Sequence, residues 1–231
     1  MSNELELLYE DADYLAVNKP AGIETVADNG DDLTTRVRQK FGAEIAPAHR
    51  LDRDTTGAAL FARTAAALAQ TVEAFKRRRV EKIYRAICVG VPANPEGIIR
   101  RNLSDWQGGH RPVRVVKKGG LTAATAYRLA AANAEFPACL LEFYPREGRT
   151  HQIRVHAAAF GRPILGDDQY GDRAANQRAK QLTGLRRQAL HAWRLTLPSN
   201  GATITAPLPV DLQTAITALF GGEEPSIVGG F

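Results

Sequence analysis

Cysteine, methionine and tryptophan are scarce in this chain: 231 residues contain two Cys, one Met and two Trp, and aromatics make up 7%. Cys88 and Cys139 lie far apart and neither belongs to a CxxC pair. A disulfide scaffold and a thiolate metal cluster are therefore excluded, and the expectation is two reduced thiols in a cytoplasmic protein. No apolar run approaches the roughly 20 residues of a membrane-spanning helix. The acidic start, Met1 to Glu4, lacks the basic-then-apolar order of a secretion signal. The chain has no GxSxG, no P-loop and no GxGxxG ahead of a helix, which argues against elbow-type serine hydrolases, P-loop NTPases and dinucleotide enzymes. HExxH is missing as well. His151 and His156 are five residues apart and do not share a helix face as an i, i+4 zinc pair does, so no metal site is expected.

What is present fits an ordinary globular protein: 44% hydrophobic and 24% charged residues, with 20 Gly and 12 Pro. Lys and Arg number 30 against 25 Asp and Glu, a net charge of +5, and 23 of the 30 bases are Arg. The charge is unevenly spread. Residues 1–32 hold nine acids and one base, Lys19, so the remainder carries +13. An Arg-rich body suits a polyanion, because guanidinium matches phosphate with a planar fork. A codon bias toward Arg and Ala gives the same composition, so composition alone leaves that partner open.

Patterning predicts short strands at 5–9 and 14–18, a turn at Lys19–Gly22, and a short helix to Phe41 capped by Asp32 or Thr34. A buried strand at 58–63 precedes a helix capped by Thr64, with Leu68, Val72 and Phe75 on its apolar face and Lys76–Arg79 at its end. Further strands are expected at 82–89, 122–129, 139–144, 189–197 and 202–206, and helices at 150–160 and 209–220. Strands outnumber helices in irregular order, which predicts an α+β fold with a mixed sheet. The expectation is one domain over 1–220 and a mobile tail over 221–231.

Three segments carry chemistry. In His49-Arg50-Leu51-Asp52-Arg53-Asp54-Thr55-Thr56-Gly57, a carboxylate flanked by Arg50 and Arg53 feeds a rigid strand and can act as an ionised nucleophile. The plain alternative is a surface salt-bridge cluster ending in a turn. In Lys82-Ile83-Tyr84-Arg85-Ala86, Tyr84 can stack on a base or move a proton, or can simply pack at a core edge. In Gly148-Arg149-Thr150-His151-Gln152-Ile153-Arg154-Val155-His156, Arg149 and Thr150 are expected at a helix start, where exposed amides attract phosphate. Arg154 follows one turn on.

In this order and spacing, the three segments resemble the RluA-type family of RNA pseudouridine synthases. The resemblance extends to Asn18-Lys19-Pro20-Ala21-Gly22, Arg162-Pro163-Ile164-Leu165-Gly166-Asp167 and Leu190-His191-Ala192, nearly the whole chain. It implies the family's fold, a bent, largely antiparallel mixed sheet flanked by helices around a central RNA-binding cleft. It also implies the family's reaction, isomerisation of uridine in RNA to pseudouridine. The family's catalytic Asp falls on Asp52, its active-site Tyr on Tyr84, and the Arg that pairs with the carboxylate on Arg154. Arg50 matches the Arg that fills the space left by a flipped nucleotide. His49, Arg53, Thr56, Lys82, Arg149 and His151 are implied substrate contacts. Thr56 stands where the family often has Ser. Many relatives begin with an S4-type RNA-binding domain, whereas here the expectation is that the sequence opens on the catalytic domain.

The reaction that the resemblance implies needs no metal or redox cofactor and takes a structured RNA as its partner; no membrane and no obligate protein partner are expected, and a monomer is the expectation for an oligomeric state that the sequence does not encode. Ribosomal RNA of the large subunit is favoured over tRNA. The basic runs Lys76–Arg79, Arg111–Lys118 and Arg173–Arg187 are candidates for phosphate contact. Competing readings are a non-catalytic RNA-binding assembly factor, against which Asp52, Tyr84 and Arg154 together argue, and a nucleoside hydrolase, which would release free uracil.

Overall fold

The computed structural model of the protein describes residues 5–28, 30–106, 112–133, 135–197 and 199–221. The expected tail, apart from Gly221, and Arg111 of the second basic run lie outside the described residues. Along the chain the elements are β1 (Leu7–Glu10), β2 (Tyr14–Lys19), α1 (Leu33–Phe41), β3 (Ala46–Pro47), β4 (Thr56–Ala62), α2 (Ala65–Lys76) and β5 (Glu81–Val89). Then come β6 (Glu96–Arg100), β7 (Asn102–Leu103), β8 (Val115–Val116), β9 (Ala124–Asn133), β10 (Ala138–Pro145), α3 (Gln152–Ala159), α4 (Arg173–Thr183), β11 (Leu190–Thr196), β12 (Thr203–Thr205) and α5 (Val210–Phe220).

The chain groups into two compact units, one from Met1–Ile83 and His191–Leu208, the other from Tyr84–Leu190 and Pro209–Phe231. In the first, β4 is central. All seven of its residues are buried, which is why it reads as a continuous apolar run rather than an alternating one. β2 runs antiparallel to it from Tyr14↔Ala62 to Lys19↔Gly57, and β1 pairs with the far side of β2. β11 joins β4 in parallel at His191↔Thr56 and Ala192↔Gly57, and β12 lies antiparallel to β11. In the second unit β10 sits between β5 and β9, and β6 pairs with β9, all antiparallel. β7 and β8 form a separate ribbon. Among the described ladders within each unit only β4–β11 is parallel, so the sheets are mixed and largely antiparallel, as the α+β reading expects.

Local signals explain most boundaries. Asp32 caps α1, its Oδ1 accepting from Thr35 N at 2.7 Å. Thr64 caps α2 through Ala67 N at 3.1 Å. The buried face of α2 is nevertheless Ala67 and Thr71, with Leu68, Ala74 and Phe75 half-buried beside them; Val72 is 37% exposed. The Thr71 hydroxyl bonds Ala67 O and the Tyr14 hydroxyl, which turns the helix by that much from the apolar spacing.

Two helices differ from expectation. The sequence presents Arg173–Arg187 only as a basic run, yet that run contains α4. Asp172 caps it through Ala175 N at 2.8 Å, and Gly184 ends it with φ of 74° and a bond to Lys180 O. α3 begins at Gln152, two residues later than expected. His151 sits before it in the left-handed region with φ of 55°, which breaks the helix there.

Candidate active site

Asp52 lies on the loop between β3 and β4, and buried groups fix that loop from both sides. Lys19, with no exposed surface, donates through Nζ to the carbonyls of Pro20, Arg53 and Thr55 at 3.0, 2.8 and 2.9 Å. Arg53 O also accepts from Gly22 N, and Thr55 N donates to Asp52 O at 3.1 Å. The Thr25 hydroxyl clasps Leu51, donating to its carbonyl at 3.1 Å and accepting from its amide at 3.0 Å. Leu51 and Thr55 are buried, Asp52 is half-buried, and Arg50 and Arg53 are exposed. A short loop whose backbone groups are spent on buried partners holds a side chain at its apex in one place, which a nucleophile or base requires.

The strand after the loop is anchored equally closely. The Thr56 hydroxyl meets His191 Nδ1 at 2.8 Å, and His191 Nε2 lies 3.2 Å from Ala206 O. A carbonyl only accepts, so Nε2 carries the proton and Nδ1 takes the Thr56 hydrogen. Gly57 follows with φ of 112°, and a Cβ there would stand 2.2 Å from Ala192 O. The glycine lets β4 and β11 approach directly behind the loop.

His49 accepts from Leu60 N at 3.0 Å through Nε2. Its ring lies 5.5 Å from that of Phe75, and Lys82 Nζ is 5.6 Å from the Phe75 centroid. Burial, with help from the Lys82 charge, pushes the His49 pKa down to about 4, so the imidazole is neutral near pH 7. Of the substrate contacts expected in the first unit, His49 and Thr56 hydrogen-bond within its frame and Lys82 is buried beside Phe75.

In the second unit Tyr84 is half-buried on β5, opposite Phe143 of β10. Arg154 is buried on α3. Its Nε and Nη2 fork onto Asp167 Oδ2 and Oδ1 at 2.7 and 2.9 Å. Tyr170 lies against the guanidinium, with Cζ 5.0 Å from its ring centroid. The Tyr170 hydroxyl accepts from Val113 N at 3.0 Å and meets His151 Nδ1 at 2.9 Å. Burial alone would raise the Asp167 carboxyl. The Arg154 bonds and charge, with the amides of Tyr170 and Gln169, outweigh it and hold the pKa below the ordinary carboxylate range.

Arg149 and Thr150 are exposed but precede the helix rather than starting it. The Arg149 amide donates to Gln152 Oε1 at 3.0 Å, so it is already occupied. Gln152 Nε2 donates to Ala124 O and Thr125 Oγ1, and Thr125 Oγ1 meets His156 Nδ1 at 2.9 Å. His156 is a fully buried structural imidazole whose pKa burial lowers. Among the described residues no group of three His, Cys, Asp or Glu could hold a metal ion, and no helix is long and apolar enough to cross a membrane. Within the first unit a carboxylate sits on a fixed loop; within the second, Tyr84 lies on β5 and the Arg154 guanidinium is clamped on α3.

The sequence model of the family described as RNA pseudouridylate synthase matches residues 13–159, through Asp52, Tyr84 and Arg154. The chain belongs to that family. Its resemblance to the RluA-type pseudouridine synthases runs further than the matched segment. The RNA pseudouridine synthase YhcT of Bacillus subtilis (strain 168) is 34% identical over 94% of this chain and 73% of its own length. Ribosomal large subunit pseudouridine synthase C of Rickettsia bellii (strain RML369-C) is 35% identical over 72% of this chain, and the match spans 56% of that relative. The solved structure of human RNA pseudouridylate synthase domain containing 4 superposes with a TM-score of 0.77 at 26% identity, covering 93% of this chain and 92% of that one. The pseudouridine synthase fold and enzyme class follow from these matches.

Lys19, Asp167, Tyr170 and His191 had no role in the sequence reading. Lys19, Asp167 and His191 lie within segments that resemble the family, but nothing in local spacing says that a Lys would lose all exposure or that Asp167 would take both near nitrogens of Arg154.

Proposed function

We propose that this protein isomerises specific uridines to pseudouridine in large-subunit ribosomal RNA, with Asp52 as the essential carboxylate. The observation that carries this is the placement of Asp52 on a loop fixed by Lys19 and Thr25, inside the segment matched by the family. The name of the Rickettsia bellii relative supports ribosomal RNA over tRNA. The C1′–N1 bond breaks, the uracil turns, a C1′–C5 bond forms, the C5 proton leaves and N1 gains one. The uracil anion is delocalised, so it leaves with less acid help than a sugar alkoxide, and one carboxylate takes the place of a glycosidase pair. Asp52 acts either by adding at C1′ or by removing the 2′ proton. Arg154 is the cation that serves Asp52, and Tyr84 holds the detached base near the departing C5 proton.

Structured RNA hides C1′ and C5 in its stack, so the uridine is flipped outward at a cost of a few kcal/mol. Arg50, exposed beside Asp52, fills the gap. Arg53, Arg149 and His151 contact the flanking RNA. The family match runs through both compact units, which supports reading 1–220 as one catalytic domain. In this reading the enzyme works in the cytoplasm as a monomer and without a cofactor.

The test is tritium release from C5-labelled uridine in ribosomal RNA and in tRNA, with the wild type beside Asp52→Ala. Release from ribosomal RNA by the wild type alone is the expected result. Release from tRNA alone would move the substrate, and no release with RNA binding intact would make the chain a binding factor.

A further inference from the structure

We propose that Asp167 and Tyr170 are positioning residues that fix the orientation of Arg154 for the isomerisation; the inference rests on the reading of Arg154 as the cation serving Asp52. An arginine side chain has several rotatable bonds, and its guanidinium directs charge only as well as it is held. Here it is held in two directions. The Asp167 carboxylate, 1% exposed, grips Nε and Nη2 side-on at 2.7 and 2.9 Å, which fixes the plane of the guanidinium. The Tyr170 ring, with its centroid 5.0 Å from Cζ, blocks movement on one face of that plane.

Both holding groups are themselves held. Asp167 Oδ1 also accepts from the amides of Gln169 and Tyr170 at 3.0 Å each. Asp167 O accepts from Gly171 N and from Asn176 Nδ2, both at 3.0 Å, which ties the loop to α4. Asn176 Oδ1 returns to Gly166 N at 2.7 Å. The Tyr170 hydroxyl is fixed by Val113 N and by His151. His151 pays for that contact with its left-handed backbone, φ of 55°, a conformation a non-glycine residue adopts only when its surroundings demand it. A buried ion pair kept only for stability needs neither the ring nor the strained histidine. The whole arrangement converges on one guanidinium.

The test uses the full chain with Asp167→Asn, Tyr170→Phe, Arg154→Met and the double variant Arg154→Met/Asp167→Asn. Single-turnover tritium release is measured with the RNA that the wild type modifies, alongside RNA affinity and thermal midpoint. Nitrogen-15 NMR of the arginine side chains reports rotation about Nε–Cζ of Arg154 without reference to activity. The expected results are slow rotation in the wild type and fast rotation in Asp167→Asn. The Asp167→Asn rate should be roughly 10- to 100-fold lower with RNA affinity unchanged.

In the Arg154→Met background, Asp167→Asn should cost no further activity, although removing both charges should raise the thermal midpoint above that of either single variant. That split separates positioning from stability. If Asp167→Asn does not fold, Tyr170→Phe, which keeps the ring and loses the two anchors, should show faster rotation and a rate several-fold lower. Free rotation in the wild type, an unchanged rate in both folded variants, or an equal loss in the Arg154→Met background would overturn the inference. A wild type that modifies no RNA overturns the proposed function and, with it, the part of this clamp in the reaction, whereas an active wild type with any of those three results overturns the inference alone.

Discussion

Lys19 Nζ donates to the carbonyl of Arg53 at 2.8 Å, so a fully buried cation, 34 residues away in sequence, closes the loop that carries Asp52. The ammonium also serves Pro20 and Thr55. Lys19→Met keeps the volume and removes the donors, leaving one buried and two part-buried carbonyls short of a partner, at about 1–3 kcal/mol for the buried one and less for the others. Some of these carbonyls keep other donors, so a total near 3 kcal/mol is expected. For a chain of this size that lowers the thermal midpoint by roughly 6–12 °C. Calorimetry checks it, and tritium release at a temperature where the variant is folded should fall as well, because the loop loosens.

Asp52→Asn keeps the size of the side chain and removes its charge. The expected outcome is loss of at least about a thousandfold in tritium release with RNA affinity within twofold of wild type, since the residue acts on the transition state rather than on binding. Tyr84→Phe should also bind RNA but stall at the last proton removal, so that base-free or rearranged intermediate accumulates while little tritium appears. Quenched time courses distinguish the two. Normal release by Tyr84→Phe would show that its hydroxyl is dispensable.

His49 predicts a pH dependence of stability. Its folded pKa of about 4 lies below the ordinary histidine value of 6.5, so the unfolded chain binds the proton more readily. The stability this provides is fully present above pH 6.5 and is lost as pH falls from there toward 4. His156 contributes in the same direction. His49→Gln retains a side-chain acceptor for Leu60 N and does not titrate. Urea midpoints at pH 7, 5.5 and 4.5 should fall less steeply for this variant than for the wild type.

Much of this was legible from residues with a local job. Thr64 and Asp32 announce α2 and α1 because a cap needs only the next three residues. The motif order through Asp52, Tyr84 and Arg154 announces the family. Helix α4 was missed because only Ala179 and Thr183 are buried on it, so its apolar stripe is too thin to read, although Asp172 and Gly184 bracket it. The left-handed His151 and the grip of Asp167 on Arg154 were not legible. The first goes with a hydrogen bond to Tyr170, 19 residues on, and the second joins residues 13 apart, contacts that local spacing does not encode.

Gly57→Ala should be among the most damaging single-methyl additions. The backbone φ of 112° is unfavourable for alanine, and the new Cβ would stand 2.2 Å from Ala192 O in the parallel β4–β11 ladder. Backbone cannot yield as a flexible side chain can, so the strands must separate immediately behind the Asp52 loop. A loss of more than about 4 kcal/mol is expected, the range of exceptional substitutions. Gly42→Ala is the control: φ is 130° but nothing lies within 4 Å, so it carries only the backbone strain. Parallel urea titrations should place Gly42→Ala well above Gly57→Ala in midpoint.

The end of α2 predicts how RNA binding responds to salt. Lys76, Arg77, Arg78 and Arg79 are all exposed. Arg77 Nε bonds Glu73 Oε1 at 2.6 Å within the helix, so Arg77 is kept in place, and Lys76, Arg78 and Arg79 are the three side chains tested for phosphate contact. Each phosphate neutralised releases counterions, and the logarithm of affinity falls with that of salt by about 0.7–0.9 per contact. Replacing Lys76, Arg78 and Arg79 with Gln should therefore flatten the slope by roughly 2–3 while leaving the single-turnover rate at saturating RNA unchanged. Filter binding from low to moderate salt measures the slope. An unchanged slope would move the phosphate track away from α2, and a changed saturating rate would place these side chains in the chemistry rather than in the capture of RNA.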